Sequence, residues 1–169
     1  MPVVDASPET PLVLDTDIFS HLRNSQKYVE KNIDAYFSRM KQLPALTAIT
    51  VFEAAVGIES QIAQNSVTEV QANTYQRRIH HFMQRHEILA FDRKAAEIAA
   101  HIYPRVPRGE LRKEKGKEKS FWKDIFIVSI VIAHNYGLAT GNRSDMELIA
   151  SHLPEDLDLP LAVWKSPKA

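Results

Sequence analysis

Five carboxylates stand at positions where their spacing could do chemistry. Asp15 closes the apolar run 11–15 (PLVLD), and Asp17 follows it. Glu53 lies just past a second short apolar run, 45–49. Asp124 stands ahead of the apolar stretch 125–133. Asp145, with Asn142 beside it, lies just past a further short run, 138–140. Taken singly, each acid has an ordinary structural role. Asp17 suits a helix N-cap, and Thr50-Val51-Phe52-Glu53 has capping-box spacing. The stretch 142–145 could start a helix in the same way, and Asp124 suits the positive end of a helix dipole. Taken together they ask for more. Carboxylates converging on one sheet edge repel one another and drive their pKa values upward. A hard divalent cation, Mg²⁺ or Mn²⁺, relieves that conflict because it prefers carboxylate oxygen. Such a site activates water and stabilises an in-line displacement at phosphorus, so phosphodiester hydrolysis is the expected chemistry.

The elements that must position these acids are short strands alternating with helices. Runs 11–15, 45–49, 87–91, 138–140 and 161–164 have the compact apolar character of buried strands. A short helix through about residue 22 follows the first. Polar amphipathic helices are expected over 26–41 and 67–85, with others over 51–62, 94–103 and 144–151. The segment 121–136 is ambiguous. Its β-branched FIVSIVIA favours a strand by propensity, whereas its length, unbroken before Gly137, favours a buried helix. The N-terminal ten residues and the last few are expected to fray. Alternation of this kind implies βαβ units, a parallel sheet and helices on both faces. Ligands of such sheets collect at the carboxyl ends of the strands, where the acids lie.

The ordered set of these residues resembles the PIN-domain ribonucleases, and most of all the VapC-type toxins of type II toxin–antitoxin modules. The pieces are Leu14-Asp15-Thr16-Asp17, Thr50-Val51-Phe52-Glu53, Lys123-Asp124-Ile125 and Thr140-Gly141-Asn142-Arg143-Ser144-Asp145-Met146. They follow the family's order from about residue 11 to 164. Met146 stands where members often carry Phe, and the stretch 108–120 is longer and more charged than in compact members. The resemblance implies one PIN-like domain over 1–169, with a three-layer α/β/α fold and a mainly parallel sheet of four or five strands. It implies that Asp15, Glu53, Asp124 and Asp145 hold Mg²⁺ or Mn²⁺ and are catalytic, with Asp17, Thr140 and Asn142 as supporting polar residues. It makes 125–133 a buried helix. It further implies an endoribonuclease acting on RNA, a cognate antitoxin and a homodimer. The alternatives are a housekeeping PIN nuclease of RNA maturation and a non-catalytic binding module of the same fold.

Composition narrows the field. The 169 residues carry 21 basic and 21 acidic side chains and no cysteine. A strongly basic nucleic-acid wrapper, a disulfide scaffold, a thiol nucleophile and a cysteine-ligated zinc site are all excluded. No apolar run approaches the roughly 18 residues that span a bilayer, and the first residues lack the basic and apolar regions of a secretory signal. A cytoplasmic protein without membrane contact is expected. Charge is uneven along the chain: residues 105–123 hold eight bases against three acids, five net positive. That window is either a solvated loop or the landing place of an anionic partner, RNA or an antitoxin segment. Asp15-Thr16-Asp17 also resembles the D-x-D-x-[TV] opening of haloacid-dehalogenase-like phosphatases. Phe19 breaks that pattern, and no later G-D-x-x-x-D follows. There is no phosphate-cradling glycine loop and no HExxH, and Ser20 has no evident base.

Overall fold

The computed structural model describes residues 3–106, 113–114, 117–118 and 121–165. In chain order the strands are β1 (Val3–Asp5), β2 (Leu12–Leu14), β3 (Leu46–Thr47), β4 (Ile88–Leu89), β5 (Lys113–Glu114), β6 (Lys117–Glu118), β7 (Gly137–Thr140) and β8 (Leu159–Val163). The helices are α1 (Thr16–Arg23), α2 (Lys27–Met40), α3 (Ala48–Ala63), α4 (Glu69–Arg85), α5 (Arg93–Ile102), α6 (Trp122–Ala133) and α7 (Arg143–Ala150).

Four strands pair in the order β1-β8-β7-β2, all parallel. A short parallel pair, β3 and β4, continues beyond β2. Ala45 N–H donates to Leu12 O at 2.8 Å, and Leu14 N–H donates to Ala45 O at 2.9 Å, which ties that pair to the main sheet. The strand period of two sorts side chains to opposite faces. Val13 and Leu138 enter one core with α5, α6 and α7. Leu12, Leu14 and Ala139 enter the other with α1, α2, α3 and α4. The expected three-layer α/β/α arrangement with a mainly parallel sheet is therefore present.

Segment 121–136 resolves as a helix, not a strand. Every residue of α6 from Ile127 to Ala133 is buried, as is Ile125. A helix wrapped by neighbours on all sides needs no polar face, and burial overrides the modest helix propensity of Ile and Val. The one hydroxyl in that run, Ser129, donates back to Ile125 O at 2.7 Å.

Three local expectations are corrected. The N-terminal segment does not fray throughout, because Val3–Asp5 forms the outer strand against β8. Val3 packs on the core, and Ala6 N–H extends the ladder to Leu161 O. Asp17 is not the N-cap of α1; Asp15 is, accepting from Thr16 N–H. Thr50 and Glu53 do not form a capping box. Helix α3 begins three residues earlier than that box requires, with Thr47 as N-cap accepting from Thr50 N–H at 3.0 Å. A true capping box occurs at Thr68 and Gln71, where α4 starts. Most of the basic window, 107–112 and 119–120 included, lies outside the described residues, as do 166–169. Within the window β5 and β6 pair antiparallel.

Candidate active site

Strand β2 ends at Leu14, opposite Ala139 of β7. The next residue on each strand is therefore Asp15 and Thr140, side by side at the carboxyl edge. Both are buried. Thr140 Oγ1 donates to Asp15 Oδ2 at 2.7 Å, and Thr16 N–H donates to Asp15 Oδ1 at 2.7 Å. Asp15 is thus fixed at both oxygens. Its carboxyl is nonetheless pushed up from 3.8 to about 6. Burial is the largest cause, with Asp17 and Glu53 adding repulsion against the two hydrogen bonds that favour the ion.

Glu53 lies in the second turn of α3 and reaches back to α1. Thr16 Oγ1 donates to its Oε2 at 2.6 Å. Lys123 Nζ, from the first turn of α6, sits 2.7 Å from its Oε1. Asp124, beside Lys123, occupies the same first turn. On the β7 side, Thr140 Oγ1 accepts from Asn142 N–H at 3.0 Å. Asn142 caps α7, its Oδ1 accepting from Asp145 N–H at 3.4 Å and from Ser144 Oγ at 3.1 Å. Asn142 Nδ2 in turn donates to Asp145 Oδ2.

A pocket of about 120 Å³ lies where these segments meet, lined by Asp15, Thr16, Asp17, Glu53, Lys123, Asp124, Asn142 and Met146. Four of the five acids singled out from the sequence thus share one cavity, delivered by β2, α1, α3 and α6. Thr140 sits beneath as the support of Asp15. Asp145 stays in the first turn of α7, held by Asn142, and does not line the cavity. Two residues without an assigned role also matter. Thr16 links α1 to Glu53, and Lys123 is the ammonium inside the acidic ring. Lys123 was hidden in the basic run; its place directly before Asp124 was the available signal.

The donor set suits a hard cation: every ligating candidate is a carboxylate oxygen, with no histidine or thiol among them. In this arrangement no group of three or more such side chains, among the described residues, is gathered closely enough to hold a metal ion. Glu53 is engaged by Thr16 and Lys123, and Asp145 by Asn142. A second, larger groove of about 550 Å³ adjoins the acidic pocket and shares Thr16, Glu53 and Lys123 with it. It runs past Arg23, Asn24, Gln61 and Tyr75 between α1, α3 and α4. Among the described residues, no helix is long and apolar enough to cross a membrane.

No protein-family model matches the chain, and no curated protein sequence matches it at a significant level. Solved structures do. A chain in the structure of VapBC2 from Rickettsia felis bound to a promoter DNA fragment superposes with a TM-score of 0.66 at 19% identity. That match covers 91% of this chain and 98% of the other. A chain in DNA-bound VapBC from Salmonella typhimurium gives a TM-score of 0.64 at 18% identity, covering 92% and 99%. One in FitAcB from Neisseria gonorrhoeae gives 0.62 at 23% identity, covering 88% and 96%. Near-complete coverage in both directions means that the likeness extends over the whole fold: the chain has the PIN-like fold of the VapBC structures.

Proposed function

We propose that this protein is a Mg²⁺- or Mn²⁺-dependent endoribonuclease, the toxin of a toxin–antitoxin pair, acting in the cytoplasm as a homodimer. The observation that carries the reading is the convergence of Asp15, Asp17, Glu53 and Asp124 on one pocket at the carboxyl edge of the sheet. Stability alone does not favour such a cluster, because burying like charges together costs free energy. The likeness to VapBC structures supports a cognate antitoxin as partner.

Asp15, Glu53, Asp124 and Asp145 are the residues that would hold the cation. When bound, a divalent ion supplies Lewis acidity and charge neutralisation to a phosphodiester. The chain's own contribution is preorganisation. Thr140 and the Thr16 amide fix both oxygens of Asp15, whereas Asp145, held by Asn142 outside the cavity, would have to turn inward to join the other acids. Asp17 lines the pocket and adds negative potential at its wall. Lys123 lies where the acidic pocket opens into the larger groove, so an RNA strand in that groove would bring a phosphate past the carboxylates.

The deciding experiment is cleavage of RNA by the purified protein. Cleavage should appear with Mg²⁺ or Mn²⁺, disappear with EDTA, and fall at least about a hundredfold in Asp124→Asn, the usual scale for losing a charge-stabilising group. Cleavage that survives EDTA, or is equal in the variant, overturns the reading.

A further inference from the structure

Lys123 is placed where a lysine is unexpected. It stands in the first turn of α6, where the helix dipole disfavours a cation. Its side chain is 30% exposed and that of Glu53 is 17% exposed, so their 2.7 Å contact is only partly screened by solvent. Around it are Asp15, Asp17, Glu53 and Asp124, the other titratable walls of the pocket. The Trp122 ring centroid lies 5.7 Å from the ammonium. Both oxygens of Glu53 are engaged, one by the Thr16 hydroxyl and one by this ammonium. A divalent cation held by Glu53 Oε1 would compete with Lys123 for that oxygen.

We infer that Lys123 is a resident counter-ion of the acidic pocket, exchanged for the divalent cation when the cation binds. The inference rests on the metal-dependent reading above. Without metal, the ammonium offsets part of the carboxylate repulsion and keeps Glu53 pointed into the pocket. On cation binding, Glu53 Oε1 leaves Lys123. The four-carbon stem lets the ammonium swing to the shared mouth of the pocket and the larger groove, which it already lines. There it faces the anionic strand. Cation binding thereby frees a positive charge for phosphate, and by reciprocity phosphate binding favours the cation.

The test is a calorimetric titration with Mn²⁺ alone, using the full chain. Lys123→Met should bind Mn²⁺ about tenfold or more tightly than wild type, because a unit charge beside the site has gone. Lys123→Arg keeps the charge and should bind within about threefold of wild type. In a Glu53→Gln background, Lys123→Met should give no gain, since the shared oxygen is lost. Metal-free Lys123→Met should melt lower than wild type and recover with Mn²⁺. That recovery separates loss of the counter-ion from simple misfolding. If wild type binds Mn²⁺ but Lys123→Met binds equally or more weakly, the exchange is wrong while the nuclease reading stands. If no form binds Mn²⁺, both are wrong.

Discussion

At the scale of single residues, Asp15 carries the conflict between folding and function. It caps α1, accepts from Thr140 and Thr16, and is buried beside two other acids. Its carboxyl titrates near 6 in the fold against 3.8 as the ordinary value, so folding takes up a proton between those values. The stability this group contributes is complete below its unfolded pKa and is lost as pH rises through its folded pKa. At neutral pH the metal-free protein carries a penalty on the order of 2–3 kcal/mol at this one position. Asp15→Asn removes the charge and keeps an acceptor for Thr140, though its amide group then faces the Thr16 N–H. The variant should melt roughly 2–6 °C above wild type at pH 7.5 without metal, and show little or no gain at pH 4.5. Equal shifts at both pH values, measured calorimetrically, would remove charge as the cause. The pairing of Asp15 with Thr140 follows from strand ends that the sequence marks well. Glu53 lines the pocket, but its partners differ from those its local spacing suggests. Thr50 at the right spacing suggested a local cap, whereas the hydroxyl that reaches Glu53 comes from Thr16, 37 residues away. Contacts between segments leave no spacing signature along one of them.

At the scale of elements, periodicity located most segments and erred where tertiary burial decides. Helix α6 has no polar face to give it away; its length favours a helix and its β-branched content a strand, and the family resemblance decides between them. Strand β1 is three residues long and carries too little pattern to stand out from a loose terminus. The central strand β7 is more constrained than its four residues suggest. Gly137 opens it between β2 and β8. A Cβ there would meet Leu12 Cδ2 and Thr10 Cγ2 at 3.0 Å and the Pro160 carbonyl oxygen at 3.1 Å. The two side chains can shift, but the carbonyl belongs to the β8 backbone and cannot retreat without disturbing the sheet. Gly137→Ala should therefore cost about 1–3 kcal/mol, as overpacking of a filled site does. Denaturant titration gives the value; a neutral or stabilising result would mean β8 yields at Pro160. Because Thr140 is three residues on, a shifted β7 should also loosen its grip on Asp15 and lower activity.

At the scale of the whole molecule, the fold places acids from three separated stretches on one pocket and leaves a cationic side chain among them. The sequence announces the acids because strand ends and helix starts are local events. It conceals their spacing in three dimensions, which depends on how α3 and α6 lean over the sheet. The proposed toxin role makes a demand beyond catalysis in a tube, since an unrestrained endoribonuclease should stop the cell that makes it. Induced expression of the wild-type chain without an antitoxin should arrest growth within a few generations. Asp124→Ala should not, because it removes a pocket carboxylate that belongs to neither core. Asp124 sits in the first turn of α6, so alanine also gives up a favourable dipole interaction of about 0.3–1 kcal/mol. That dipole contribution alone is too small to unfold a protein of ordinary stability, and a check of the variant's folding covers the side chain's other contact. The comparison is valid only at matched protein levels, checked by immunoblot, and with circular dichroism of the purified variant matching wild type. Equal growth of the two strains would count against a toxin and favour a housekeeping nuclease or a binding module. Purified protein would then separate those two, since only the nuclease should still cut RNA with Mg²⁺ or Mn²⁺.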